Sequence, residues 1–133
     1  MAEKTENNII KSPTDERTQQ EITISGNPGK PVGEDGEKML RRMNESHYAV
    51  TGWALEHWKI RENDRILDIG CGGGATLKRM SGQVRDGHLT GVDYSATSLE
   101  LSGKTNAGAL QQGKMDLVEA SVEKLPFADN TFD

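Results

Sequence analysis

Apolar and polar positions follow two rhythms along this chain. Met39, Met43, Val50, Ala54 and Trp58 recur at intervals of four, seven, four and four residues. That spacing puts side chains on one face of an α-helix. Leu40, Trp53 and Leu55 widen the stripe. The pattern predicts a helix from near Asp35 to somewhere between Lys59 and Asn63. Gly52 lies inside it, at a cost of about 1 kcal/mol relative to alanine in a continuous helix, so a break is expected near Gly52.

From Arg65 the rhythm changes. Ile66-Leu67-Asp68-Ile69 is a short β-rich run that ends in Gly70-Cys71-Gly72-Gly73-Gly74. Ala75 to Met80 reads as a helix. His88 to Asp93 reads as a second strand, and Ser95 as the N-cap of a helix reaching about Ser102. A stretch containing Gly and Asn follows, and Met115 to Ala120 reads as a third strand. Strands alternating with helices predict βαβ units and a parallel sheet.

The first 38 residues lack both rhythms. They hold three of the four prolines, none of the six aromatics and seven of the 44 hydrophobic residues. So polar a segment buries too little surface to offset the entropy of ordering it. Residues 1–38 are expected to be a polar, flexible arm, and residues 39–133 the folded unit. A short edge strand at Ile22–Ile24 and a turn-rich linker over 26–33 are the features expected within the arm.

Composition narrows the function classes. The 133 residues carry 21 acidic and 16 basic side chains, a net charge of -5, which opposes a generic nucleic-acid binder. No apolar run is long enough for a membrane span. The N-terminus lacks the basic and apolar regions of a leader. The lone cysteine, Cys71, excludes an internal disulfide framework and a cysteine metal cluster. A cytoplasmic location is expected.

The glycine cluster is the first candidate site. Glycines after a parallel strand allow a tight turn and close approach of a ligand to the backbone. Ligands of open α/β sheets sit outside the carboxyl ends of the strands. Four glycines in five positions exceed what a turn alone needs. Gly70, Gly72 and Ala75 also match G-x-G-x-x-A, a form of the dinucleotide fingerprint, with Asp93 about 20 residues on, where a ribose-binding acid belongs. The loop alone therefore leaves NAD and other nucleoside cofactors open. Asp68 favours the latter. A carboxylate at the strand mouth repels a pyrophosphate but suits an ammonium group. Asp93 has two oxygens for the two ribose hydroxyls; its plainer reading is a strand-end acid or a cap. Pro126 and Asp129-Asn130 mark turns, and Leu125 and Phe127 suggest a packed loop.

Taken together, these motifs resemble the N-terminal part of a class I S-adenosylmethionine-dependent methyltransferase. The family's acid-x-Gly-x-Gly-x-Gly reads Asp68-Ile-Gly70-Cys-Gly72-Gly-Gly74. Its second-strand acid reads Asp93, and an LPF-x-D-x-x-FD segment reads Leu125 to Asp133. The likeness covers about residues 39–133. It implies a Rossmann-like α/β sheet, here truncated after the third parallel strand, with strand 1 becoming an edge. The complete family order is 3-2-1-4-5-7-6.

The resemblance implies S-adenosyl-L-methionine as cofactor. The run Gly70, Cys71, Gly72 and Gly74 would hold its methionine end, and Asp68 its ammonium. Asp93 would take the ribose, and Tyr94 would pack near the adenine. Ser121 stands where the family usually has the adenine-binding Asp, and the Val122 N–H would reach a ring nitrogen. The segment with His47 and Tyr48 would cover the cleft. No catalytic residue is assigned and no metal is implied. The acceptor is expected to be a small molecule. The chain begins with Met and stops mid-motif, so it is expected to be the cofactor-binding half of a longer enzyme. An NAD(P)-binding oxidoreductase and a non-catalytic methyltransferase-like fragment are the alternatives.

Overall fold

A computed structural model describes residues 15–133. Its elements are α1 (Gln19–Gly26), α2 (Gly33–His57), β1 (Arg65–Ile69), α3 (Ala75–Ser81), β2 (His88–Asp93), α4 (Ala96–Thr105), α5 (Ala107–Gln111) and β3 (Met115–Glu119). The three strands form one parallel sheet in the order β1-β2-β3. Asp68 is level with Gly91, and Asp93 with Glu119. The carboxyl ends of all three strands therefore share one rim, as the sequence implied.

β1 is an edge of this sheet. At its start the backbone N–H of Asp133 donates to the Arg65 carbonyl at 2.9 Å. The Arg65 N–H returns a 2.8 Å bond to the Asp133 carboxylate. Leu55, Ile66, Leu77, Met80, Val84, Leu89 and Met115 form the core. Full burial stabilises each such side chain by about 1.5–3 kcal/mol relative to exposure. On the other side of the strands the C-terminal loop is held by an edge-to-face pair, Phe127 and Phe132, with ring centroids 5.1 Å apart.

The N-terminal expectation needs correction. Residues 1–14 of the expected arm lie outside the described residues. Residues 19–26 are helical, so the Ile22–Ile24 strand does not form. Thr18 and Glu21 make a reciprocal capping box, which satisfies backbone donors at the helix start. The boundary expected at residue 38 falls inside α2. Arg17 ties the two helices together with bonds of 2.6 and 2.8 Å to the two oxygens of Asp35. A planar guanidinium suits that paired geometry.

α2 runs through Gly52 without a break. A Cβ on Gly52 would come within 2.4 Å of the Arg79 guanidinium. The glycine opens a notch through which Arg79, from α3, crosses the helix. α5 is a further correction: its short turn of helix forms in what reads as a Gly- and Asn-containing stretch.

Candidate cofactor site

β1 delivers Asp68 and the glycine loop to the rim, and β2 delivers Asp93 beside them. Gly70 has φ 74° and Gly72 φ 53°, values that only glycine adopts readily. Four of the five amides of residues 70–74 are already engaged. The Val92 carbonyl accepts from Gly70 at 2.7 Å and from Cys71 at 3.0 Å, and the Cys71 carbonyl accepts from Gly74. The Gly72 N–H donates to Asp93 Oδ2 at 3.0 Å. The other oxygen of Asp93 accepts from the Ser95 N–H at 2.9 Å. Asp93 therefore braces both the loop and the start of α4. Each of its oxygens keeps a second lone pair for a hydroxyl donor.

Gly74 has a different task. It is αL, with φ 78°, and a Cβ there would lie 2.2 Å from Ser102 Oγ and 2.5 Å from Asn106 Nδ2. The Asn106 amide donates to the Gly74 carbonyl at 3.0 Å. Gly74 thus seats the loop against α4, and it lines neither of the cavities at the rim.

Two cavities meet at Gly70. The first, about 180 Å³, lies between α2, the loop and α3, and includes His47, Tyr48, Cys71, Gly72 and Arg79. The second, about 390 Å³, runs across the strand ends and includes Asp93, Tyr94, Ser121 and Val122. Nothing stands within 4 Å of where a Gly70 Cβ would be, so no side chain fills the space beside this shared residue. Ile69 and Val92 give the second cavity apolar floor.

Asp68 is half-buried and is not among the residues lining either cavity. Burial first, and the neighbouring Asp93 charge second, hold its carboxyl above the ordinary value. Both effects penalise an anion, and a cation placed nearby offsets both. Cys71 is buried. Burial, with the charges of Asp68 and Asp93, pushes its thiol up to about 12. It stays protonated at neutral pH and serves as a core residue, joining the site through its backbone.

The structure thus gathers Gly70, Cys71 and Gly72 at one cavity and Asp93, Tyr94, Ser121 and Val122 at the other. Leu40, Asn44, Thr51 and Arg79 join the first cavity, and sequence reasoning assigned none of them. Asn106 was missed too. Its signal was present: Ser98, Ser102 and Asn106 repeat every four residues, a polar stripe on a helix, and all three are buried.

The profile of the methyltransferase domain family matches residues 66–133. The chain belongs to that family, and its parallel sheet and rim define a class I, Rossmann-like methyltransferase fold, whose cofactor is S-adenosyl-L-methionine. The chain is similar to the 2-phytyl-1,4-naphtoquinone methyltransferase of Nostoc sp., 38% identical over 81 residues, 60% of this chain and 35% of the relative. It is also similar to the ubiquinone/menaquinone biosynthesis C-methyltransferase of Geotalea daltonii, 30% identical over 82 residues, 61% of this chain and 35% of the relative. The crystal structure of a SAM-dependent methyltransferase from Aquifex aeolicus shares the fold, with a TM-score of 0.62 at 19% identity over 73% of this chain and 53% of that one. The chain spans about a third of the length of these curated relatives. Among the described residues no helix is long and apolar enough to cross a membrane.

Proposed function

We propose that this chain supplies the cofactor-binding part of an S-adenosylmethionine-dependent methyltransferase that acts on a small molecule in the cytoplasm. One observation carries the reading. Gly70 lines both a cavity bordered by the glycine loop and a second one bordered by Asp93, Tyr94, Ser121 and Val122. An elongated nucleoside with an amino-acid tail fits that paired shape, and the donor set fits its chemistry.

Asp93 accepts the two ribose hydroxyls on the lone pairs left by Gly72 and Ser95. Tyr94, exposed at the rim, offers its ring to the adenine. The Val122 N–H and the Ser121 hydroxyl face the base's hydrogen-bonding edge. Asp68, which lines neither cavity, draws the ammonium by its charge from behind the loop or through a bridging water. The stretch Gly70 to Gly72 gives the methionine end a surface free of side chains, apart from the inward-facing Cys71. When bound, the cofactor supplies a sulfonium methyl for in-line displacement. Such a transfer depends mainly on alignment and exclusion of water, and α2 walls one side of the first cavity.

The two quinone-related relatives favour a ring compound of that chemical class as the acceptor. Isothermal titration calorimetry with S-adenosylhomocysteine tests the reading. Saturable binding to the folded chain is expected. No heat at millimolar ligand would contradict it. Asp68→Asn separates this from a dinucleotide site: it is expected to weaken the adenosyl ligand, whereas a pyrophosphate would tolerate or prefer it.

A further inference from the structure

The first cavity has one permanently charged lining residue, and it is a cation. Arg79 reaches it from the second turn of α3, half-buried, through the notch at Gly52. Its guanidinium donates to the Tyr48 carbonyl at 2.6 Å and lies 4.0 Å from the centroid of the Tyr48 ring. Such stacking holds the guanidinium plane while leaving most of its five N–H donors free. Among the described residues no carboxylate lies within ion-pair distance of it. The glycine loop, meanwhile, has used four of its five amides on Val92, Cys71 and Asp93. An anion entering this cavity therefore finds the amide of Gly73, the first amides of α3 at Ala75 and Thr76, and one cationic side chain, the Arg79 guanidinium.

We propose that Arg79, held by Gly52 and Tyr48 at the α2 side of the glycine loop, binds the carboxylate of the cofactor's amino-acid tail. The inference rests on the reading of this rim as the cofactor site and adds to it a residue from α3. Asp68 and Arg79 then form a complementary pair, an anion for the ammonium and a cation for the carboxylate. A zwitterionic amino-acid end is bound in one orientation, and an uncharged tail gains nothing from either group. A carboxylate–guanidinium contact of this kind strengthens binding about tenfold or more.

The test compares S-adenosylhomocysteine with its decarboxylated analogue, in which hydrogen replaces the carboxylate, by calorimetry on the wild-type chain and Arg79→Gln. The wild type is expected to prefer the carboxylate ligand about tenfold, and Arg79→Gln to bind both ligands at the level of the analogue. Arg79→Lys should restore part of the preference. If Arg79→Gln keeps the wild-type ratio, the proposal is wrong and the site reading stands. If it weakens both ligands equally, Arg79 only positions α2, and the proposal again fails. If folded wild type binds neither ligand, the site reading itself fails. Should Arg79→Gln not fold, Gly52→Ala provides the same test, because a methyl there displaces the guanidinium from its notch and is expected to reduce the ratio; an unchanged ratio would count against the proposal.

Discussion

The backbone N–H of Gly72 donates to Asp93 Oδ2 across 3.0 Å, so the acid at the end of β2 holds the loop at the end of β1. The two features that look independent in the sequence are one unit in the fold. Asp93 is buried, and its other oxygen caps the turn into α4 through Ser95. Asp93→Asn replaces one acceptor by a donor aimed at a backbone N–H. A loss of about 1–3 kcal/mol in stability is expected, read as a lower midpoint in urea. Affinity for S-adenosylhomocysteine should fall with it.

Asp68 is expected to behave oppositely. Its carboxyl is raised by burial and by Asp93, so ionisation of Asp68 opposes folding. The unliganded protein gains stability when this group is protonated, and loses that gain as pH rises above the ordinary carboxylate value through the raised one. Asp68→Asn should therefore stabilise the free chain while weakening ligand binding. Thermal melts with and without S-adenosylhomocysteine at pH 7 check both signs. Binding by the wild type should also weaken as pH is lowered into the range where Asp68 protonates.

Gly74 is the loop position least tolerant of a side chain. Alanine there adopts φ near 78° and meets Ser102 and Asn106 at less than van der Waals distance. A loss of at least about 2 kcal/mol is expected from the backbone conformation and the overlap together. Gly52→Ala should lose far less. The atom it meets is the far end of a long arginine side chain, which can shift at the cost of its bond to the Tyr48 carbonyl, and alanine favours the helix by about 1 kcal/mol. Chemical denaturation of both variants gives the comparison.

The helices α1 and α2 are coupled through Arg17. Its bonds, first from the side chain of Arg17 and then from Ser25, lower the Asp35 carboxyl to about 2, and Asp15 lies lower still. Because the folded values are depressed, the contact is complete above the ordinary value of 3.8 and is lost as pH falls through 2. Hydrogen exchange at Ile22 and Thr23 should speed up over that window before exchange in β2 does.

Much of this was legible in the sequence because the signals are local. The glycine cluster marks the loop after β1, short β-rich runs mark the strands, and Ser95 caps α4 as expected. What was not legible depends on contacts between distant residues. Gly52 looks like a helix breaker until Arg79 fills the space above it. Residues 19–26 read as a polar arm because composition outweighed a capping signal, Thr18 followed three residues later by Glu21, and because the partner of Arg17 is 18 residues away. The engaged amides of the glycine loop are equally invisible to spacing, since Val92 and Asp93 on the next strand supply the acceptors for three of the four.

The rim itself offers the most direct test. Titration of ¹⁵N-labelled chain with S-adenosylhomocysteine, followed by amide chemical shifts, is expected to move Gly70, Gly72, Asp93, Tyr94, Ser121 and Val122 together along one binding isotherm. Shifts confined to other surfaces, or the same rim responding to NAD and not to the adenosyl ligand, would contradict the account.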